Sequence, residues 1–411
     1  MEPRIGDHLA RIRRQAGMSQ EALAERSGVS LSTIQQLEQH KRTSARLATL
    51  SALAAALSVD TTALMGNAAP AVDQREPDAM PIGLVGVRRA LTPVYGLDGQ
   101  PLDADPAGLP PTVAGVTTAV RDANRVYHGN DYAAALAGLP RLLGQARALV
   151  DTTSGDDQAT AHTLASRAHQ LAGRLLIQLR QVDLAHVALD GALRHARHSS
   201  DQLAGAESVA AMCWLLMRVG RFDDARALAV RTADQVEPKM SKATPADLAA
   251  WGFLLMKAAA AAVRDARRDE ATELLDLAAG GAQVLGDRPN PYADVAGNDF
   301  SAEGVHLMRV ESAVIAGQPA RALALAERVT RSPQVTPSSR QRHRLDVAWS
   351  YVQTGQYADA TGVLLDLRDT APSWLRQQPY ARTIVAELVD TRRRALSAEL
   401  AELTSLVGYA P

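Results

Sequence analysis

Pairs of small residues twelve positions apart recur along this 411-residue chain from Thr112 onward: Ala123/Ala135, Gly173/Ala185, Cys213/Ala225, Ala259/Ala271, Val310/Ala322 and Ala348/Ala360. A small side chain on each of two antiparallel helices lets the backbones cross closely. The turn that reverses the chain sits between the two members, most visibly in HGNDY, VGRF, AGQ and TGQY. The register is anchored on the second member of each pair, and the first is small in five of six cases, Val310 being the exception. A single helix hairpin cannot bury its own apolar face, so the recurrence predicts hairpins stacked into an array.

Composition agrees with close-packed helices. Hydrophobic residues make up 46% of the chain and aromatics only 4%, with alanine and leucine dominant, and β-branched alternation is rare. The expected class is all-α. A formal net charge of -1 excludes a strongly basic, non-specific nucleic-acid binder but leaves room for a small local reading surface. One cysteine, Cys213, forms no internal disulfide and is read as a small crossing residue in preference to a reactive thiol, which fits a reducing cytoplasm. No uninterrupted apolar run is read as long enough to span a bilayer, so no membrane partner is expected.

The chain divides into three parts. Over residues 1–66, Ile5, Leu9 and Ile12 fall on one helix face, Ala22 and Leu23 on a second, Ile34 and Leu37 on a third, and Leu47, Leu50, Leu53 and Leu57 on a fourth. No Phe, Trp or Tyr precedes Tyr95, so this core is wholly aliphatic. Residues 67–111 concentrate proline and glycine and read as a linker, with one short helix over Ile82 to Leu91. Residues 112–411 hold the helical array, and the segment from Pro379 to Tyr409, without a partner repeat, is expected to cap it with Arg392, Arg393 and Arg394 facing water.

Local chemistry in the first part is specific. Ser19 precedes Gln20-Glu21-Ala22, where its hydroxyl can cap a helix and Glu21 meets the positive end of the dipole. Gly28 allows the left-handed turn that ends this helix, and Ser30 caps the next. Val29, Ile34 and Leu37 pack inward, which describes a helix-turn-helix. The run MSQEALAERSGVSLSTIQQLEQHKR, followed by a leucine-rich helix and LSVDTTALM, resembles the Cro and phage-repressor type of helix-turn-helix, the XRE family, over about residues 4 to 65.

That resemblance implies that the second helix lies in the major groove of operator DNA. Gln20 would hold a phosphate and brace the recognition helix, while Leu31, Ser32, Thr33, Gln35 and Gln36 would lie toward the bases. A glutamine amide can bond adenine at N6 and N7 together, and Leu31 can press on a thymine methyl. Lys41 and Arg42 follow where phosphates lie. The plainer reading makes Gln35, Gln36 and Gln39 neutral helix surface. His40 stands where the family usually has glycine: either the turn differs, or His40 bears the strain and meets a phosphate.

The paired pattern further along resembles the tetratricopeptide repeat, TPR, although successive anchors lie about 38 to 51 residues apart, longer than the repeat of about 34. In that family the residue after the first small position points into a concave groove. The corresponding set is Asn124, Arg174, Trp214, Ala260, Glu311 and Trp349, joined by Gln170, Met256, Tyr127, His128, Arg218 and Arg264. Aromatic walls, arginines for a carboxylate and an asparagine for a peptide backbone suit a peptide or small-molecule effector. The alternative is that Trp214, Met256 and Trp349 are core between repeats and the arginines are solvated.

The combination resembles repressor-type regulators with TPR sensors, including receptors for signalling peptides. It implies a cytoplasmic homodimer on an inverted repeat whose TPR domain modulates DNA binding. The other reading is a scaffold whose groove recruits a partner protein to DNA. No nucleophile elbow, Walker loop or dinucleotide fingerprint appears, so neither catalysis nor a cofactor is expected. His195 and His198 share a helical face without a third ligand, which points to solvent exposure and not to a metal.

Overall fold

Capping side chains fix the first helices, α1 (Ile5–Gln15), α2 (Gln20–Ser27), α3 (Leu31–Glu38) and α4 (Leu47–Ala56). Ser19 accepts from the Ala22 amide at 3.1 Å and Ser30 from Thr33 at 3.3 Å, so each hydroxyl satisfies a donor the helix leaves open. Gly28 ends α2 with φ 66°, the left-handed conformation the turn requires. Leu9, Ile12, Leu23, Ile34, Leu37, Leu53 and Leu57 close an aliphatic core. α1 and α3 approach so tightly that a side chain at Gly6 would stand 2.0 Å from the Leu37 carbonyl oxygen.

The computed structural model describes residues 5–15, 18–42, 45, 47–57, 82–97, 102, 110–293, 297–329, 335–391 and 398–409. Most of the proline-rich segment and Arg392, Arg393 and Arg394 lie outside these residues. Within that segment α5 (Ile82–Leu91) is helical and buries Leu84 and Val87 against the array.

The array follows as antiparallel hairpins: α6 (Val113–His128) with α7 (Tyr132–Thr152), α8 (Asp157–Gln178) with α9 (Val182–Ser199), and α10 (Gln202–Arg218) with α11 (Phe222–Gln235). Next come α12 (Pro245–Arg264) with α13 (Arg268–Leu285), α14 (Ala302–Ile315) with α15 (Pro319–Ala326), and α16 (Pro337–Gln353) with α17 (Tyr357–Thr370). The first helices α6, α8, α10, α12, α14 and α16 pack side by side in one continuous row. α18 (Pro372–Arg376), α19 (Pro379–Thr391) and α20 (Ala398–Val407) cover the last hairpin with Trp374, Ile384, Leu388, Leu400 and Leu403. The chain is an all-α protein: a helix-turn-helix domain followed by a helical solenoid.

The small pairs lie where the hairpins cross. Gly173 and Ala185, Cys213 and Ala225, Ala259 and Ala271, and Ala348 and Ala360 contribute buried positions on facing helices. The Cys213 thiol donates to the Ala225 carbonyl at 3.4 Å, and burial pushes it up to about 12, which leaves it unreactive. Pro245–Arg264, although Asp247 and Lys257 interrupt its apolar run, is long and apolar enough to cross a membrane by length and composition. In the fold it is the central helix α12, with 83% of its apolar stretch buried, so its alanines serve helix packing.

The connection from α13 to α14 turns inward instead of looping outside. Asn298 donates to Glu207 on α10 at 2.7 Å and to the Ala249 carbonyl on α12 at 2.9 Å, and Phe300 is fully buried against Gly252. Asp299 then accepts from the Thr336 amide at 2.6 Å at the start of α16. These bonds satisfy polar groups that an inward loop would otherwise leave without water.

Candidate functional site

Two surfaces hold the candidate residues. The first is α3. Ser32 and Gln36 are exposed, Leu31, Thr33 and Gln35 half-buried, and Lys41 and Arg42 exposed just beyond the helix end. Gln36 lies along the outer face with its amide 3.4 Å from Ser32 Oγ. Ile34 and Leu37 hold the opposite face against the core with no exposed area, so the helix cannot roll without uncovering them. The outward set therefore offers hydroxyls and amides, groups that both donate and accept, as base edges require.

A buried clamp fixes this helix. Arg13 donates from Nε and Nη2 to the two oxygens of Glu38 at 2.7 and 2.9 Å, and from Nη1 to the Met18 carbonyl at 2.7 Å. Gln20 donates its amide to Glu38 Oε2 at 2.6 Å, so it ties the start of α2 to the end of α3. His40 takes φ 56° and bears the strain expected where glycine is usual. Its ring meets Asp7 on α1 at 3.1 Å, so the side chain closes the turn here.

The second surface lies along the row of first helices. Asn124, Tyr127, Gln170, Arg174 and Met256 are all buried at 6% exposure or less, so they do not line open space. Ala260 is buried as well. Arg174 stacks over Tyr127 at 4.6 Å and meets Gly297 of the inward connection, where a side chain would stand 2.4 Å from its guanidinium. His128 packs edge-on to Tyr127 with ring centres 5.4 Å apart. The start of the row is thus closed over, and the tryptophans farther along, Trp214 and Trp349, stay half-buried.

Toward α16 the row becomes a band of charge. Arg264 pairs with Glu311, Arg342 lies 3.6 Å from Asp346 and 4.4 Å over the Tyr380 ring, and Tyr380 sits 6.2 Å from Trp349. Burial opposes ionisation of Glu311, but Arg264 and Arg342 outweigh it and hold the carboxyl low. Burial raises Asp346 despite Arg342, with the nearby Glu311 charge adding to the rise. Glu207 is pushed up to about 8 by burial, against the Asn298 hydrogen bond.

Lys257, Arg342, Asp346 and Tyr380 escaped sequence reasoning. The signal was there: Phe253, Lys257, Ala260 and Arg264 form a stripe at spacings of four, three and four, and Arg342, Asp346 and Trp349 repeat it on α16. Counting three residues back from the small position selects Met256, on the buried side; counting two back selects Lys257. The histidines also differ from expectation. His195 bonds His162 of α8 at 3.0 Å between Nδ1 atoms and packs on His169, while His198 stacks on His162 with ring centres 5.0 Å apart. His198 is exposed and His195 half-buried. No cluster suited to a metal ion occurs among the described residues.

Residues 9–64 match the helix-turn-helix family, and they form an XRE-type helix-turn-helix domain. The helices beyond are consistent with repeats, without a match to a tetratricopeptide family. No curated protein matches the chain.

Proposed function

We propose that the protein is a cytoplasmic, sequence-specific transcription regulator in which α3 reads operator DNA and the TPR-like solenoid senses an effector, a peptide or small molecule. The helix-turn-helix domain marks the chain as a DNA-binding regulator. The observation that carries the finer reading is the Arg13–Glu38–Gln20 clamp: it holds rigidly a helix whose outer face is amide and hydroxyl. Ser32, Gln35 and Gln36 are assigned to base edges, with Leu31 and Thr33 beside them, and Lys41 and Arg42 to phosphates.

Coupling has a physical route. α4 adjoins α12, the helix that carries Lys257 and Arg264, so one element touches both the DNA-binding domain and the groove. An effector that binds one arrangement of these helices more tightly shifts the population toward it. A homodimer on an inverted repeat supplies the specificity that one reading head lacks.

The test is to sequence genomic fragments retained by the wild-type protein and by a Gln35→Ala/Gln36→Ala double variant. The reading requires one inverted repeat shared among wild-type fragments and its loss in the variant. Fragments without a common sequence, or the same repeat in both sets, would remove α3 as the reader. A protein that copurifies in fixed proportion would favour the scaffold.

A further inference from the structure

We propose that the face of the row of first helices around α10 and α12 is an anion site, in which Lys257 and Arg218 receive the acid groups of an organic carboxylate or phosphate. The proposal rests on the effector-sensing reading above and names the chemistry of the ligand. Its starting point is a mismatch of charge. Among the described residues, the groove's ionised carboxylate Glu311 is engaged by Arg264, and Asp346 lies with Arg342. Lys257 and Arg218 have no ion-pair partner there.

Both cations are held by aromatic faces and not by acceptors. Lys257 Nζ lies 4.2 Å from the centre of the Phe253 ring, and the Arg218 guanidinium lies 5.7 Å from that of Trp214. An aromatic face eases the desolvation of a cation but leaves its N–H donors without an oxygen. Lys257 is half-buried and Arg218 exposed as residues. Burial nonetheless draws Lys257 down, against the carboxylates of Asp299, Glu311 and Glu207 farther off, and Arg218 to about 10, where the repulsion of Arg342, Arg264 and Arg180 outweighs the attraction of Glu311.

The two donors differ in kind. Arg218, over the Trp214 ring, can make a planar, two-point contact with a carboxylate or phosphate, whereas Lys257 supplies a point charge. The half-buried Trp214 and Trp349 offer area to the body of such a ligand. A neutral ligand would leave both charges unmatched.

The test uses the full chain and two simple polyanions. Thermal unfolding of wild type, Lys257→Met, Lys257→Arg and Arg218→Met is followed in citrate, in pyrophosphate and in chloride at matched ionic strength. At least one polyanion should raise the wild-type midpoint above chloride, with an apparent affinity about tenfold weaker in Lys257→Met and Arg218→Met, and restored in Lys257→Arg. A larger response to citrate identifies a carboxylate ligand, and one to pyrophosphate a phosphate. Equal midpoints in all three salts, or a rise that persists in full in Lys257→Met, overturns the proposal, the latter being a general salt effect. Lys257→Gln serves if circular dichroism shows that Lys257→Met is unfolded. Binding of the wild type to its recovered operator, measured in the same salts, separates the two readings. Anion binding through Lys257 that leaves operator affinity unchanged keeps the site and removes effector control. Intact operator binding with no anion response removes the site alone.

Discussion

Gln20 and Arg13 converge on one carboxylate: the Gln20 amide donates to Glu38 Oε2 at 2.6 Å, and Arg13 Nη2 donates to the same oxygen at 2.9 Å. Three helices therefore meet at a single acceptor beneath the outward face of α3. Arg13 and Glu38 side chains are only 10% and 6% exposed, so losing the carboxylate strands a buried guanidinium. Glu38→Ala should destabilise the first domain by about 3 kcal/mol, read as an early shift in denaturant unfolding. An unchanged midpoint would mean that the clamp does not hold the domain together.

Gly173 tests the crossing of α8 and α9. An alanine in the interior of a helix normally stabilises it by about 1 kcal/mol over glycine. Here the added carbon would stand 2.5 Å from Leu189 Cδ2, and Leu189 has no exposed area into which to retreat. Gly173→Ala should instead destabilise by about 1 to 3 kcal/mol. Stabilisation in urea unfolding would show that the two helices do not approach this closely.

The imidazoles between α8 and α9 should make stability depend on pH. Burial pushes His195 down to about 3, with His169, His162, His198 and Arg194 opposing its charge as well. Burial also lowers His162 and His169, the latter beside Arg194 and Arg147. The unfolded chain takes up protons below its ordinary value of 6.5 while folded His195 does not. His195 therefore leaves stability untouched above that value and lowers it as the pH falls further, by at most about 1 kcal/mol per pH unit after solvent screening. Glu207, raised to about 8, acts in the opposite sense, so the informative quantity is wild type minus His195→Gln. A difference that stays flat from pH 7 to 5 would contradict the packing of these rings.

Lys257 gives a prediction that needs no ligand. Replacing an unpaired, half-buried cation by an apolar side chain of similar length removes a desolvation cost. In chloride buffer Lys257→Met should be more stable than wild type by about 1 to 3 kcal/mol. A lower melting temperature would show that the ammonium contributes to the fold in its own right.

Much of this structure was legible in the residues because local chemistry and packing agree. Ser19, Gly28 and Ser30 mark helix ends by their own side chains or backbone freedom, and all three do so in the fold. The small pairs were legible because crossing helices exclude bulk wherever they occur. The groove was harder. A stripe one residue out of register turns from open space into core, which is why the spacing selects Met256 and passes over Lys257. The inward position of Asn298 to Phe300 had no local signal, since Asn298 finds its partner Glu207 91 residues away. The same connection meets Arg174, which sequence spacing had placed in the open.

The central claim is that amides on α3 read bases, and Gln36 is where to test it. Anisotropy of labelled duplexes should show Gln36→Ala losing about 1 to 3 kcal/mol on the operator while binding to unrelated DNA stays the same. In the same titrations, Lys41→Ala or Arg42→Ala should lower the salt slope by about one. An equal loss by Gln36→Ala on operator and unrelated duplexes would contradict base reading by this helix.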